Sequence, residues 1–86
     1  MMLKEFLRAA SKRERAEVAA VCRDSVAYLY QLAGGHRYAS ALLAVRIEER
    51  TRRVAAGTNG RLRVVPRASL VRHPEIFANV REGGAE

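Results

Sequence analysis

The sequence predicts a mostly α fold: a compact four- to five-helix domain built on a helix-turn-helix, with a short β-hairpin in its C-terminal extension. Three observations predict it. Apolar residues recur at helical spacing in separate stretches, small polar residues stand just before those stretches, and Gly34-Gly35 closes the central one. Residues 1–56 form the helix-turn-helix domain in this reading, and residues 57–86 a basic extension with a disordered end.

Leu3, Phe6, Leu7 and Ala10 fall at i, i+3, i+4 and i+7, one face of a first helix. Ser11-Lys12-Arg13-Glu14 is a capping box that opens the second, Ser bonding forward and Glu bonding back. Arg15, Val18, Ala19 and Cys22 repeat the spacing, so residues 18–22 are its back half. In the polar turn Arg23-Asp24-Ser25, Asp24 or Ser25 accepts from the unbonded N–H groups of a third helix. That helix runs to Ala33 and leaves through Gly34-Gly35, where a left-handed exit has no steric cost. Two short helices joined by a tight polar turn make a helix-turn-helix.

On a wheel of about 100° per residue centred on Leu29, Leu32 and Ala33 lie within about 60° and bury. Ala27 and Gln31 point outward, flanked by Tyr28 and Tyr30. An uncharged outward face of this kind suits a major groove, where Gln pairs with adenine and an alanine methyl meets a thymine methyl. The alternative for the tyrosines is burial against the domain or a second subunit.

His36-Arg37-Tyr38-Ala39 reads as a loop and Ser40 as the cap of a fourth helix, with Leu43 and Ile47 facing the core. Leu42 and Val45 lie off that stripe, bordering helix 1, the extension or a second subunit. Glu48 with Arg52, and Glu49 with Arg53, are acid-first i, i+4 pairs of a solvated face. Gly57-Thr58-Asn59-Gly60 breaks the helix. Arg61-Leu62-Arg63-Val64-Val65 alternates like a short strand, and Asn59-Gly60 would head a hairpin back to Val54-Ala55-Ala56. Pro66 starts one helical turn through Leu70, and residues 82–86 are expected to be disordered.

Composition narrows the function. With 86 residues, 49% of them hydrophobic, the chain builds one small core. No run reaches the ~18–20 apolar residues of a bilayer span, and charges interrupt the first apolar residues as they would not in a secretory signal, so no membrane partner is expected. One cysteine makes no internal disulfide, which fits a reducing, cytoplasmic setting, and Cys22 on the buried stripe is a core thiol. Sixteen Lys and Arg, fourteen of them Arg, oppose nine Asp and Glu for a net charge of +7 and a pI near 10.8. That is the electrostatic footprint of a nucleic-acid binder, although membrane surfaces and acidic partners also attract it. From Arg50 to Pro74 there are seven Arg and no acid: a second phosphate-contacting arm, an RNA clamp, or arginines scattered on a solvated face. His36 and His73 stand far apart, no zinc spacing occurs, and no phosphate-loop motif is present. The carboxylates alternate with arginines rather than gather as a metal-dependent nuclease needs. No enzyme, no catalytic residue, no metal and no cofactor are expected.

The string Ser25-Val26-Ala27-Tyr28-Leu29-Tyr30-Gln31-Leu32-Ala33-Gly34-Gly35-His36-Arg37-Tyr38-Ala39-Ser40 resembles the Cro/CI-type helix-turn-helix family of phage repressors. More closely it resembles the small YdaS-like branch of phage regulators and antitoxin-like proteins, without a gap from about Leu3 to Arg50. The resemblance implies a DNA-binding transcription regulator that acts as a Cro-like repressor. It places Ser25, Val26, Ala27 and Gln31 where the recognition helix meets bases and phosphates. Tyr28 and Tyr30 fall beside them, and His36, Arg37 and Tyr38 fall in the loop that meets the backbone. Two positions depart from the family. Arg23 stands where Gly is usual, at a cost of about 1–2 kcal/mol if φ stays positive; either the turn is reshaped or Arg23 has its own role toward phosphate. Ala39 stands where Pro is common. Val71-Arg72-His73-Pro74-Glu75-Ile76-Phe77 is similar to the segment that closes YdaS-like chains, which implies that Ile76 and Phe77 dock on the helical body or a partner.

Double-stranded DNA is thus the expected partner, held by a homodimer on a two-fold operator with half-sites about one helical turn apart. A rival expectation is an antitoxin-like or adaptor protein that seizes a protein partner through residues 61–77, a segment disordered alone. A third is RNA, with tyrosines stacked on unpaired bases.

Overall fold

The computed structural model describes residues 1–78; the stretch 82–86 expected to be disordered lies outside them. Their order is α1 (Leu3–Ala9), α2 (Lys12–Ala19), a 3-10 turn (Ala20–Cys22), α3 (Val26–Ala33), α4 (Ala41–Ala56) and two further 3-10 turns, Arg67–Leu70 and Pro74–Phe77. Three of the four helices begin at a serine. Ser11 Oγ accepts from the Glu14 N–H at 3.1 Å while the Glu14 carboxylate accepts from the Ser11 N–H at 2.8 Å, the full capping box. Ser25, not Asp24, caps α3 by accepting from the Tyr28 N–H at 3.0 Å, and Ser40 caps α4 through the Leu43 N–H at 3.2 Å. Each such bond stabilises its helix by about 1 kcal/mol.

The helices enclose a single core. Phe6 and Leu7 of α1, Val18 and Ala19 of α2, Leu29 of α3, and Ala44 and Ile47 of α4 are all buried in it. Leu43 is only partly buried and Leu42 is exposed, so the α4 stripe runs through Ala44, Ile47, Thr51 and Val54. Cys22 is buried with them; desolvation raises its thiol pKa, so it stays protonated at neutral pH and makes a poor nucleophile.

The extension completes this core. Leu62, Val65, Leu70 and Val71 are buried in the same cluster as the helices. Val54, Ala55 and Ala56, the expected partners of a hairpin, form the last turn of α4, and no strand occurs among the described residues. The Asn59-Gly60 signal nonetheless does its local work. Both residues take left-handed φ, 54° and 87°, and the Arg61 N–H donates to the Thr58 carbonyl at 3.1 Å. That turn joins a helix to one extended segment, because Val54 sits on the buried helical stripe and would leave it to join a strand.

Two threonines bond the extended segment where a second strand would have. Thr51, fully buried, accepts from the Val65 N–H at 3.0 Å and donates to the Glu48 carbonyl at 2.9 Å. Thr58 Oγ1 accepts from the Leu62 N–H at 3.1 Å.

Several arginines of the basic segment are fasteners. Glu48 does not pair with Arg52: its Oε1 accepts from Arg67 Nε at 2.6 Å, tying α4 to the 3-10 turn of residues 67–70. Arg50 donates to the Glu17 carbonyl at 3.0 Å. Arg61 donates to the Ala9 carbonyl at 2.7 Å and pairs with Glu14. The Arg61 guanidinium, and after it the Ser11 N–H, hold the Glu14 carboxyl below its ordinary value of 4.5. A lowered folded-state pKa favours the charged form on folding. This link therefore contributes above the unfolded pKa and is lost as pH falls through the lower folded one. Phe77 packs on the core beneath Arg67, whose guanidinium lies 5.6 Å from the ring centre, while Ile76 stays exposed.

Candidate nucleic-acid interface

α3 stands on the core through Leu29 and Leu32, both buried, and turns Ala27, Tyr30 and Gln31 to solvent. The two tyrosines divide: Tyr28 leans in and packs against the core, and Tyr30 is 51% exposed. Val26 is also half-buried against the core, and Ser25 is half-buried with its oxygen engaged in the cap. Of the expected readers, Ala27, Tyr30 and Gln31 present the most surface.

The turn before α3 keeps a left-handed geometry. Arg23 has φ 58° and Asp24 φ 60°. The Asp24 N–H donates to the Ala19 carbonyl at 2.8 Å, the bond that closes a helix whose next residue is left-handed, where glycine is the low-cost choice. Asp tolerates that region locally; a long side chain such as Arg is strained there. Arg23 stays exposed at this position. Arg23→Gly is expected to raise stability by about 0.5–1 kcal/mol, the strain relieved less the chain entropy glycine adds. Paired thermal melts and duplex titrations check it: tighter folding with weaker binding would mark Arg23 as a contact, and tighter folding with unchanged binding would mark it as strain alone.

The exit from α3 is a second left-handed cap. The Gly35 N–H donates to the Leu32 carbonyl at 3.2 Å and the His36 N–H to the Gln31 carbonyl at 3.0 Å, with Gly35 at φ 78°. A Cβ at Gly34 would stand 2.9 Å from His36 Cδ2, so the imidazole lies close over that glycine. Arg37 follows, exposed. Tyr38 is about half exposed beneath Arg72, whose guanidinium is 5.0 Å from the ring centre, a cation–π pair.

The Ala39 N–H donates to the Leu70 carbonyl at 2.8 Å, and Ala39 is buried. Proline has no N–H and could not make this bond, which fastens the loop to the extension. Arg72 is the neighbour that sequence reasoning left unplaced. Its charge was visible among the seven arginines, but nothing in the spacing set it over Tyr38.

The resulting surface is an uncharged helical face with Arg23 ahead of its start and Arg37 and Arg72 beyond its end. Neutral side chains suit base edges, and cations at either end suit phosphates. Among the described residues no three His, Cys, Asp or Glu side chains come together as a metal site requires, and no helix is long and apolar enough to cross a membrane. Comparison with known proteins adds no relative: no protein family, curated protein or solved structure matches the chain.

Proposed function

We propose that this protein is a sequence-specific DNA-binding transcription regulator of the Cro-like, YdaS-like kind, acting in the cytoplasm by operator occupancy and without catalysis or cofactor. The observation that carries the proposal is α3. It is capped by Ser25, pinned through Leu29 and Leu32, and turns outward a neutral face of Ala27, Tyr30 and Gln31. Gln31 reads a base edge, Ala27 and Tyr30 flank it, and Val26 and Tyr28 offer the edges that burial leaves them. Arg23, Arg37 and the loop residues His36 and Tyr38 fix the register on phosphates. One short helix reads only a few base pairs, so the reading includes a homodimer on half-sites about one turn apart.

Selection of bound sequences from random duplex DNA tests it. The expected result is an enriched palindromic motif whose preference relaxes at one position in Gln31→Ala, at a cost of about 1–3 kcal/mol for the bidentate contact. Enrichment of no sequence, with weak and salt-sensitive binding that Gln31→Ala leaves unchanged, would sink the proposal. The rival reading, an antitoxin-like or adaptor protein, needs residues 61–77 to be disordered until a partner arrives. Leu62, Val65, Leu70 and Val71 lie instead in this chain's own core, which favours the DNA reading.

A further inference from the structure

A basic groove runs between α4 and the 3-10 turn that follows α2, apart from the surface described above. Ala20 and Val21 line one side of it, and Arg46, Arg50 and Arg53, with Glu49, line the other. It adjoins a second hollow that shares Val21 and Arg46 and reaches Arg23 and Ser25 at the start of α3. The two hollows together lead from the cap of α3 along the side of α4.

Arg46, Arg50 and Arg53 recur at i, i+4 and i+7, which sets three guanidinium groups along one side of a helix. Glu49 is the one carboxylate among them, and it makes no ion pair among the described residues. Arg50 is committed to the Glu17 carbonyl. Arg46 and Arg53 are exposed and donate no hydrogen bond to any described residue. Seven residues apart, they stand about 10 Å from each other along the helix axis. Two stepped cations in an open groove suit a polyanion with regularly spaced charges better than one small anion.

We propose that Arg46 and Arg53 clamp backbone phosphates of the same duplex that α3 reads, outside the base pairs it contacts. The clamp rests on the DNA-binding reading and adds affinity without adding sequence information, because phosphates are the same at every step.

The test is the salt dependence of binding to the duplex motif selected by the unaltered protein, compared with Arg46→Gln/Arg53→Gln. Gln keeps helix propensity close to that of Arg, and circular dichroism verifies helix content. Each phosphate contact contributes about 0.9 to the slope of log affinity against log salt, so the double variant is expected to lose about 2 units of slope. Its affinity should fall by the same factor for the motif and for an unrelated duplex, leaving the order of preferred sequences intact. Lys4→Gln/Arg8→Gln on α1 removes the same charge elsewhere and is expected to shift the slope by less than half as much. Equal slopes for the groove variant and the α1 variant would overturn the clamp while leaving α3 as the reader. A protein that selects no duplex sequence would remove the DNA reading and the clamp together. Should the double variant lose helix content, Arg46→Gln and Arg53→Gln taken singly carry the test, each expected to lose about 1 unit.

Discussion

Leu29→Ala is expected to destabilise the fold by about 2–5 kcal/mol, the range for removing a fully buried leucine and leaving a cavity. Leu29 is completely buried, on a helix that packs against both α1 and α2. Small domains have about 5–15 kcal/mol in total, so the loss takes a large share of the stability. Duplex binding near physiological temperature should fall with it, because the face of Ala27, Tyr30 and Gln31 is displayed only while α3 is docked. Gln31→Ala makes the informative comparison. Gln31 is exposed, so its truncation should move stability by no more than about 0.5 kcal/mol while altering base preference. Denaturant melts of the two variants, with duplex titrations in the cold where the folded fraction is restored, separate support from reading. Recovery of binding by Leu29→Ala in the cold, with an unchanged sequence preference, is the expected result. A stability loss below about 1 kcal/mol would mean that other contacts hold α3 in place.

The helical body was legible because its signals are local and agree with one another. The serines at 11, 25 and 40 each precede a helix, and the apolar spacing of Leu3, Phe6, Leu7 and Ala10 marks a face that is buried throughout. The wheel on Leu29 also sorted α3 correctly, apart from the two tyrosines, whose amphipathic side chains suit either side. What the pattern missed depends on contacts distant in sequence. Alternation in residues 61–65 suggested a strand face, but the residues that bury are Leu62 and Val65, three apart, and the pattern says nothing about the partner. The Val65 N–H finds the Thr51 hydroxyl rather than a second strand. Local spacing offered Glu48 only Arg52, one turn on, whereas the fold brings Arg67 to it from nineteen residues away. The sequence left the turn at Arg23 open between a reshaped and a left-handed geometry, and Arg23 takes the left-handed one. The bond from Ala39 to Leu70 had no local signal, since a missing proline does not name the acceptor its N–H will find.

Residues 1–57 alone are expected not to fold, although they contain all four helices. Removing the rest takes Leu62, Val65, Leu70 and Val71 out of the core. At about 1.5–3 kcal/mol for each large apolar side chain, the loss is of the order of the whole stability of a small domain, about 5–15 kcal/mol. The cut also leaves polar groups without partners: the Ala39 N–H loses the Leu70 carbonyl, and the Glu48 carboxylate loses Arg67. The loop carrying His36, Arg37 and Tyr38 loses its fastening at the same stroke, so the side of the site proposed to meet phosphates fails along with the core. Circular dichroism melts of residues 1–57 and 1–78 decide it, with Leu62→Ala in the full chain as the milder arm, expected to lose about 2–5 kcal/mol. A cooperative melt of residues 1–57 within a few degrees of the longer chain would place the domain boundary at the end of α4 and reduce the extension to an accessory. Helix content that melts without cooperativity, or is absent, would make the extension a structural part of the helix-turn-helix domain, holding the loop after α3 in place.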